Sequence, residues 1–282
     1  MTQPNVAGNG NQTGDTMHLR YWMAGALLGL VIDGCATVAV PPSPEARNAL
    51  TPTGKLRVGI LLTNPIQVAK DPASGELKGV AIDLGKELAR RIGVLFVPVG
   101  YPSVAALVES ASSGEWDVAF LAMDPTRAKV MDFAAPFMEV EVGYMVLAGS
   151  SINTLIDVDQ PGVRIAVASK GGPDLFLSSN LKHALLVRSP EIPAAVEMVK
   201  SGKADVVASN KPALFSLSER LPGFRILNGR FTTVDYGIAT AKGRDAGNAY
   251  VRSFIEEAKA AGLVKSSIEK AGLRGVVVAS LQ

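Results

Sequence analysis

Asp117-Val-Ala-Phe-Leu-Ala-Met-Asp-Pro-Thr-Arg127-Ala-Lys-Val-Met-Asp-Phe133 begins as a strand and ends as something else. From Asp117 to Leu121 apolar and β-favouring residues run without a break, the pattern of a short buried strand. Pro125 fixes φ and supplies no N–H, so Asp124-Pro125-Thr126 takes the chain out of the strand. Arg127 follows just past the strand's C-terminal end. In α/β proteins ligands bind at that end, and a guanidinium there offers a planar fork for a carboxylate or phosphate. On local grounds the same arginine serves equally as a surface residue paired with Asp124 or Asp132.

Upstream, strand and helix patterns alternate. Gly54-Lys-Leu-Arg-Val-Gly-Ile-Leu-Leu62 reads as a strand, and a turn follows at Asp71-Pro-Ala-Ser-Gly75. Ile82, Leu84, Leu88 and Ile92 fall at helical spacing, and Gly93 stops that helix. Val94–Val99 is a second strand, and Ser103 caps a second helix over Ser103–Ser110. This alternation predicts a largely parallel sheet with helices on its faces.

Downstream the pattern repeats. Ser113-Gly-Glu-Trp-Asp-Val-Ala119 returns as Ser201-Gly-Lys-Ala-Asp-Val-Val207, each copy following an apolar-periodic helix and opening a buried strand. Gly162-Val-Arg-Ile-Ala-Val-Ala-Ser169 echoes the first strand. Two lobes of similar build are expected, residues 54–145 with 238–282 forming one and 146–237 the other. The strands Val142–Ala148 and Tyr236–Ala241 flank the second unit, and helices over Asp245–Ala261 and Leu263–Ala271 return to the first. Paired crossings of this kind make a hinge over a cleft.

The N-terminal region stands apart. Residues 1–16 lack any apolar period. A short basic run at Met17-His-Leu-Arg20, an apolar core over Trp22–Ile32 and small residues through Ala36 have the anatomy of a secretory signal peptide over about residues 17–39. Ile32-Asp-Gly-Cys35 resembles a lipoprotein cleavage box with Cys35 as the lipidated residue, although Asp33 is unusual there. A cut near Thr37-Val-Ala39, or a retained anchor, are the alternatives, and all three export the body. Pro41 to Thr53 reads as a linker.

Composition narrows the function classes. The chain has 282 residues, 48% apolar and 19% charged, with a net charge of +2. No basic run with interleaved aromatics points to nucleic acid. Cys35 is the one cysteine, which excludes an intrachain disulfide and a cysteine-based metal site. His18 and His183 lie far apart with no ligand-spaced partner. Neither a metal nor a cofactor is expected. Ser169-Lys-Gly-Gly-Pro173 opens a helix after the second lobe's first strand, and a helix N-terminus attracts anions, so Lys170 and Gly171 could face Arg127 across the cleft.

From Gly54 to about Gly275 the chain resembles the bacterial extracellular solute-binding proteins of polar amino-acid ABC importers, family 3. The resemblance is carried by Gly75-Glu-Leu-Lys-Gly-Val-Ala-Ile-Asp-Leu84, Ser113-Gly-Glu-Trp-Asp-Val118, Thr126-Arg127 with Val130-Met-Asp-Phe133 and Pro136-Phe137, Gly162–Gly171, Gly202-Lys-Ala-Asp-Val206 and Tyr236-Gly-Ile-Ala239. It implies an α/β, two-lobed type 2 periplasmic binding protein fold, with two mixed or parallel sheets flanked by helices and a two-strand hinge. It further implies that Arg127 holds a ligand carboxylate, that Tyr101 stacks on the ligand, and that Ala122, Met123, Lys170 and Gly171 line the cleft. Gly171 stands where the family often has Thr. Asn210 falls at the acidic position that pairs with an α-ammonium, and an amide cannot neutralise that charge. The segment Leu62–Gln67 lacks the family's aromatic lid.

A small carboxylate-bearing solute without a free α-ammonium is therefore the expected ligand. The implied partner is an inner-membrane ABC permease, and the implied state is a monomer in the periplasm, with or without a lipid anchor. The rivals are an enzyme on the same fold, of the cyclohexadienyl dehydratase type with Asp124, Lys170 and Lys211 as cleft acids or bases, and a sensory binding domain.

Overall fold

A computed structural model describes residues 40–282. Cys35 and the leader, with the cleavage and lipidation expectations, lie outside the described residues. The order of elements is α1 (Pro44–Leu50), β1 (Lys55–Leu61), a small hairpin of β2 (Ala69–Lys70) and β3 (Leu77–Lys78), α2 (Val80–Ile92), β4 (Leu95–Tyr101), α3 (Val104–Glu109) and β5 (Val118–Ala122). The long strand β6 (Met131–Leu147) leads into β7 (Arg164–Ala168), α4 (Gly172–Asn180), β8 (Leu185–Ser189), α5 (Ile192–Lys200), β9 (Val206–Asn210), α6 (Lys211–Arg220) and β10 (Phe224–Ile226). The chain closes with β11 (Thr232–Ala241), α7 (Asp245–Ala260), α8 (Leu263–Lys270) and β12 (Val276–Val278).

The parallel strands β4-β1-β5 and β8-β7-β9 form two similar half-sheets, and β6 and β11 join them. Along Met131–Val142, β6 pairs antiparallel with β11, and from Val142 its opposite edge pairs with β9. Hydrogen bonding runs unbroken through β6, so the expected two sheets are one ten-stranded sheet with a change of partner at Val142. β6 starts well before the expected Val142. Pro136 lies where the β6–β11 register slips around Gly237, and in a bulge its missing N–H leaves no gap in the ladder.

Each half-sheet is packed on both faces. In the first lobe α2 and α7 cover one face, with Leu84, Leu88, Phe120, Phe137 and Phe254 buried together. Trp116, Leu107 and Leu121 fill the other. In the second lobe Val146, Ile165 and Leu177 pack on one face, and Met145, Val196 and Leu214 on the other.

The expected linker over Pro41–Thr53 is instead helical through α1 and docked on α7. Ser43 caps it by accepting the Ala46 N–H, Pro44 occupies its first turn, and Leu50 is fully buried. Proline suits that position because its φ is already helical and its missing N–H would have been unpaired. A proline-rich segment thus opens the folded body.

The internal repeat extends to individual atoms. In the first copy Arg57 donates its backbone N–H, Nε and Nη2 to the Asp117 carboxylate at 2.9, 3.0 and 2.7 Å, and Nη1 to the Gly114 carbonyl at 2.6 Å. In the second, Arg164 makes the same four bonds to Asp205 and Gly202 at 2.8, 3.0, 2.7 and 2.8 Å. Gly114 and Gly202 take φ of +70° and +72°, a turn conformation that a Cβ would strain.

Candidate cleft between the lobes

The C-terminal ends of β1 and β5 open on one rim of the sheet, where Ala122 stands opposite Tyr236 of β11. At the partner change Asn210, the last residue of β9, stands opposite Val142. Between these ends lies a cavity of about 700 Å³ lined by both lobes. Leu61, Asn64, Pro65 and Ile66 contribute from the first lobe, Ile192, Asn210 and Phe215 from the second, and Tyr236 from the joining strand.

Asn64, Tyr236 and Asn210 are among the polar side chains of its walls. Asn64 folds back to accept the Ile66 N–H at 3.1 Å, which fixes the turn after β1, and its amide approaches the Tyr236 hydroxyl at 3.5 Å. Burial pushes the Tyr236 phenol up, partly offset by the Asn64 amide and the positive charge of Arg127. Asn210 is the N-cap of α6, its Oδ1 accepting the Ala213 N–H at 2.9 Å. That bond orients the side chain, and the Nδ2 hydrogens remain as donors.

Arg127 is engaged within its own loop. Nε pairs with Asp124 at 2.9 Å, Nη1 donates to the Ala122 carbonyl at 2.5 Å, and its N–H donates to Asp124 Oδ1 at 2.9 Å. The local pairing with Asp124 that the sequence allowed is the one that forms. Arg127 does not line the main cavity, although its charge reaches the Tyr236 phenol.

Other expected site residues are placed differently. Tyr101 is 7% exposed and packed with Leu107, Trp116 and Leu121, its hydroxyl donating to Glu115 at 2.9 Å. It is a core tyrosine anchored at its tip by Glu115 in the turn before β5. Met123 packs against Gly237 and, with Asp124 and Phe133, lines a second hollow of about 390 Å³. Lys170 is the one non-glycine residue at positive φ among the described residues, +61°.

Its N–H is taken by Asp174 at 2.8 Å, and Asp174 also accepts from Ser178 and Arg188. Burial alone would raise the Asp174 carboxyl, but these bonds hold it below its ordinary value. The Lys170 N–H, one donor of the expected anion position, is thus already taken by the protein's own carboxylate. Of the residues expected in the cleft, Asn210 alone lines the main cavity. Asn64 and Tyr236 went unassigned in the sequence. Their signal was position: each stands at the same sheet rim as the end of β5.

Two of the three candidate acid and base groups are also paired, Asp124 with Arg127 and Lys211 with Glu141, each at 2.9 Å. No group of three potential metal ligands occurs among the described residues.

Residues 56–272 match the family described as bacterial extracellular solute-binding proteins, family 3. The ABC transporter glutamine-binding protein of Bacillus subtilis is 24% identical over 224 residues, 76% of this chain and 80% of that protein. Cyclohexadienyl dehydratase of Pseudomonas aeruginosa is 25% identical over 142 residues, 48% of this chain and 52% of the enzyme. Among solved structures, a mutant of ArgBP from T. maritima superposes with a TM-score of 0.59 at 26% identity, covering 80% of this chain and 99% of that one.

Proposed function

The chain belongs to the bacterial extracellular solute-binding proteins, family 3, and from that premise we propose that it captures a small carboxylate-bearing solute between its lobes for an ABC importer. The work is done outside the cytoplasm by a monomer, soluble or anchored through Cys35, and a closed form is what the permease recognises. The relatives named for glutamine and ArgBP support an amino acid or a derivative of one as the solute class.

Asn210 carries the finer reading. A free amino acid brings an ammonium that a buried site must neutralise, and leaving a buried charge unpaired costs about 2–5 kcal/mol. Asn210 lines the cavity with an uncharged amide whose oxygen already caps α6. It offers hydrogens to a ligand and suits an acceptor there, an acyl oxygen or a second carboxylate, better than an ammonium. Arg127 would meet the carboxylate by exchanging Asp124 for it, and Ala122, Lys170 and Gly171 would border its approach in the closed form.

Titration calorimetry against the common amino acids, their N-acylated derivatives and small dicarboxylates tests this. The derivatives should bind and the free amino acids should not; micromolar binding of any common amino acid would overturn it. Asn210→Asp keeps the helix cap and adds the missing charge, so it should raise affinity for free amino acids about tenfold or more.

The partial likeness to a dehydratase raises an enzymatic reading. Two of the three cleft groups that could move a proton, Asp124 and Lys211, are already ion-paired, which favours binding without turnover. Conversion of a cyclohexadienyl acid by the purified protein would reverse that preference.

A further inference from the structure

The C-terminal segment touches the second lobe at a place that the two joining strands do not explain. β12 pairs with β6 at Met138–Val140, where β11 holds the opposite edge. At Val142 β11 again stands opposite β9, so β12 and β9 share one edge of β6 and meet at Glu141. The start of α6, in the second lobe, is thereby set against a segment anchored in the first.

Their contact is a built one. The Glu141 N–H donates to the Gly275 carbonyl at 2.8 Å. Gly275 takes φ of +74°, and a Cβ there would stand 2.4 Å from that of Lys211, so the Lys211 stem lies directly on the glycine as it reaches Glu141. Further along α6 the Arg274 guanidinium covers the Phe215 ring at 3.9 Å and donates to Glu219 at 3.1 Å. Lys211, Phe215 and Glu219 are spaced four apart, one stripe of the helix facing the tail.

We infer that Gly272–Val278 is a strap, with Arg274 as its latch, that biases the equilibrium between lobe orientations in the empty protein. The inference rests on the lobes rotating about β6 and β11, as the proposed function requires. β12 moves with the first lobe and α6 with the second, so rotation at Val142 separates Arg274 from Phe215 and Glu219. A contact made in one state shifts the equilibrium by its own free energy and no more. Both charges are more than half exposed, so the ion pair contributes little and the guanidinium–ring contact dominates. The resulting population ratio changes by about twofold to fivefold on loss of the latch.

Residues 40–282 contain no cysteine, which makes a labelled pair clean. Spin labels at Lys86→Cys on α2 and Ser179→Cys on α4, in the full chain carrying Cys35→Ser, report the lobe separation without solute. Arg274→Ala should redistribute the distances by that factor, Arg274→Lys should do so in part because it keeps charge and loses the planar stack, and Phe215→Leu should mimic Arg274→Ala. Superimposable distributions for wild type, Arg274→Ala and Phe215→Leu would overturn the strap. Failure of the proposed function would appear separately, as absence of solute binding in calorimetry, and would leave this measurement intact.

Discussion

Asp117 and Asp205 hold the same clasp at different depths. The Asp117 carboxylate is fully buried and is also reached by Arg244 at 3.3 Å, whereas the Asp205 side chain is 33% exposed. Removing one partner of a buried pair leaves an uncompensated charge, while water screens the same loss near the surface. Asp117→Asn should therefore cost about 3 kcal/mol and Asp205→Asn about 1 kcal/mol in urea unfolding. Equal costs would mean that the shared geometry, not burial, sets the energy. Arg127 is a residue of a different kind. Its pairing with Asp124 is partly exposed, so Arg127→Ala should cost less than about 1 kcal/mol in stability while abolishing capture of the carboxylate solute. A large fall in melting temperature would make the residue structural instead.

Among the elements, α2 and α7 are joined by a chain of charges that gives the fold an acid limit. Glu87 accepts from Arg90 and Arg91, and Arg91 continues to Glu257 on α7 and lies over Phe254. The hydrogen bond from Arg90 is the main cause that holds the Glu87 carboxyl at about 2, below its ordinary 4.5. Because the folded value is the lower one, the stabilisation is complete above about pH 4.5 and is lost as pH falls toward 2. Unfolding free energies across that interval should decline, and Glu87→Gln should flatten the decline; an unchanged slope would remove Glu87 from the account. The helices themselves were legible. Gly93 in the left-handed conformation ends α2, and Ser103 caps α3 by accepting the Ala106 N–H. α1 and the first half of β6 were not. Pro44 fell in the expected linker and Pro136 ahead of the expected strand at Val142, yet each stands where a missing N–H is harmless, at a first helical turn and in a bulge.

At the scale of the whole molecule, the repeat, the alternation of strands and helices and the two-lobed α/β plan were all present in the sequence. Short-range periodicity decides which segments bury a face, and right-handed strand–helix–strand packing leaves few ways to assemble them. The family resemblance, likewise readable, agrees with the match over residues 56–272. The site was less legible. The cavity draws on residues near 61–66, 192–193, 210–220, 236 and 272–274, brought together only when β6 changes partner and the tail returns to its free edge. The sequence placed Arg127 at the end of its strand with Asp124 as a local partner, but only tertiary structure kept it off the main cavity and drew Tyr101 into the core through Glu115. A backbone position follows from local pattern, whereas the direction of a long polar side chain follows from whichever partner lies within hydrogen-bonding reach, and that partner is chosen by the fold.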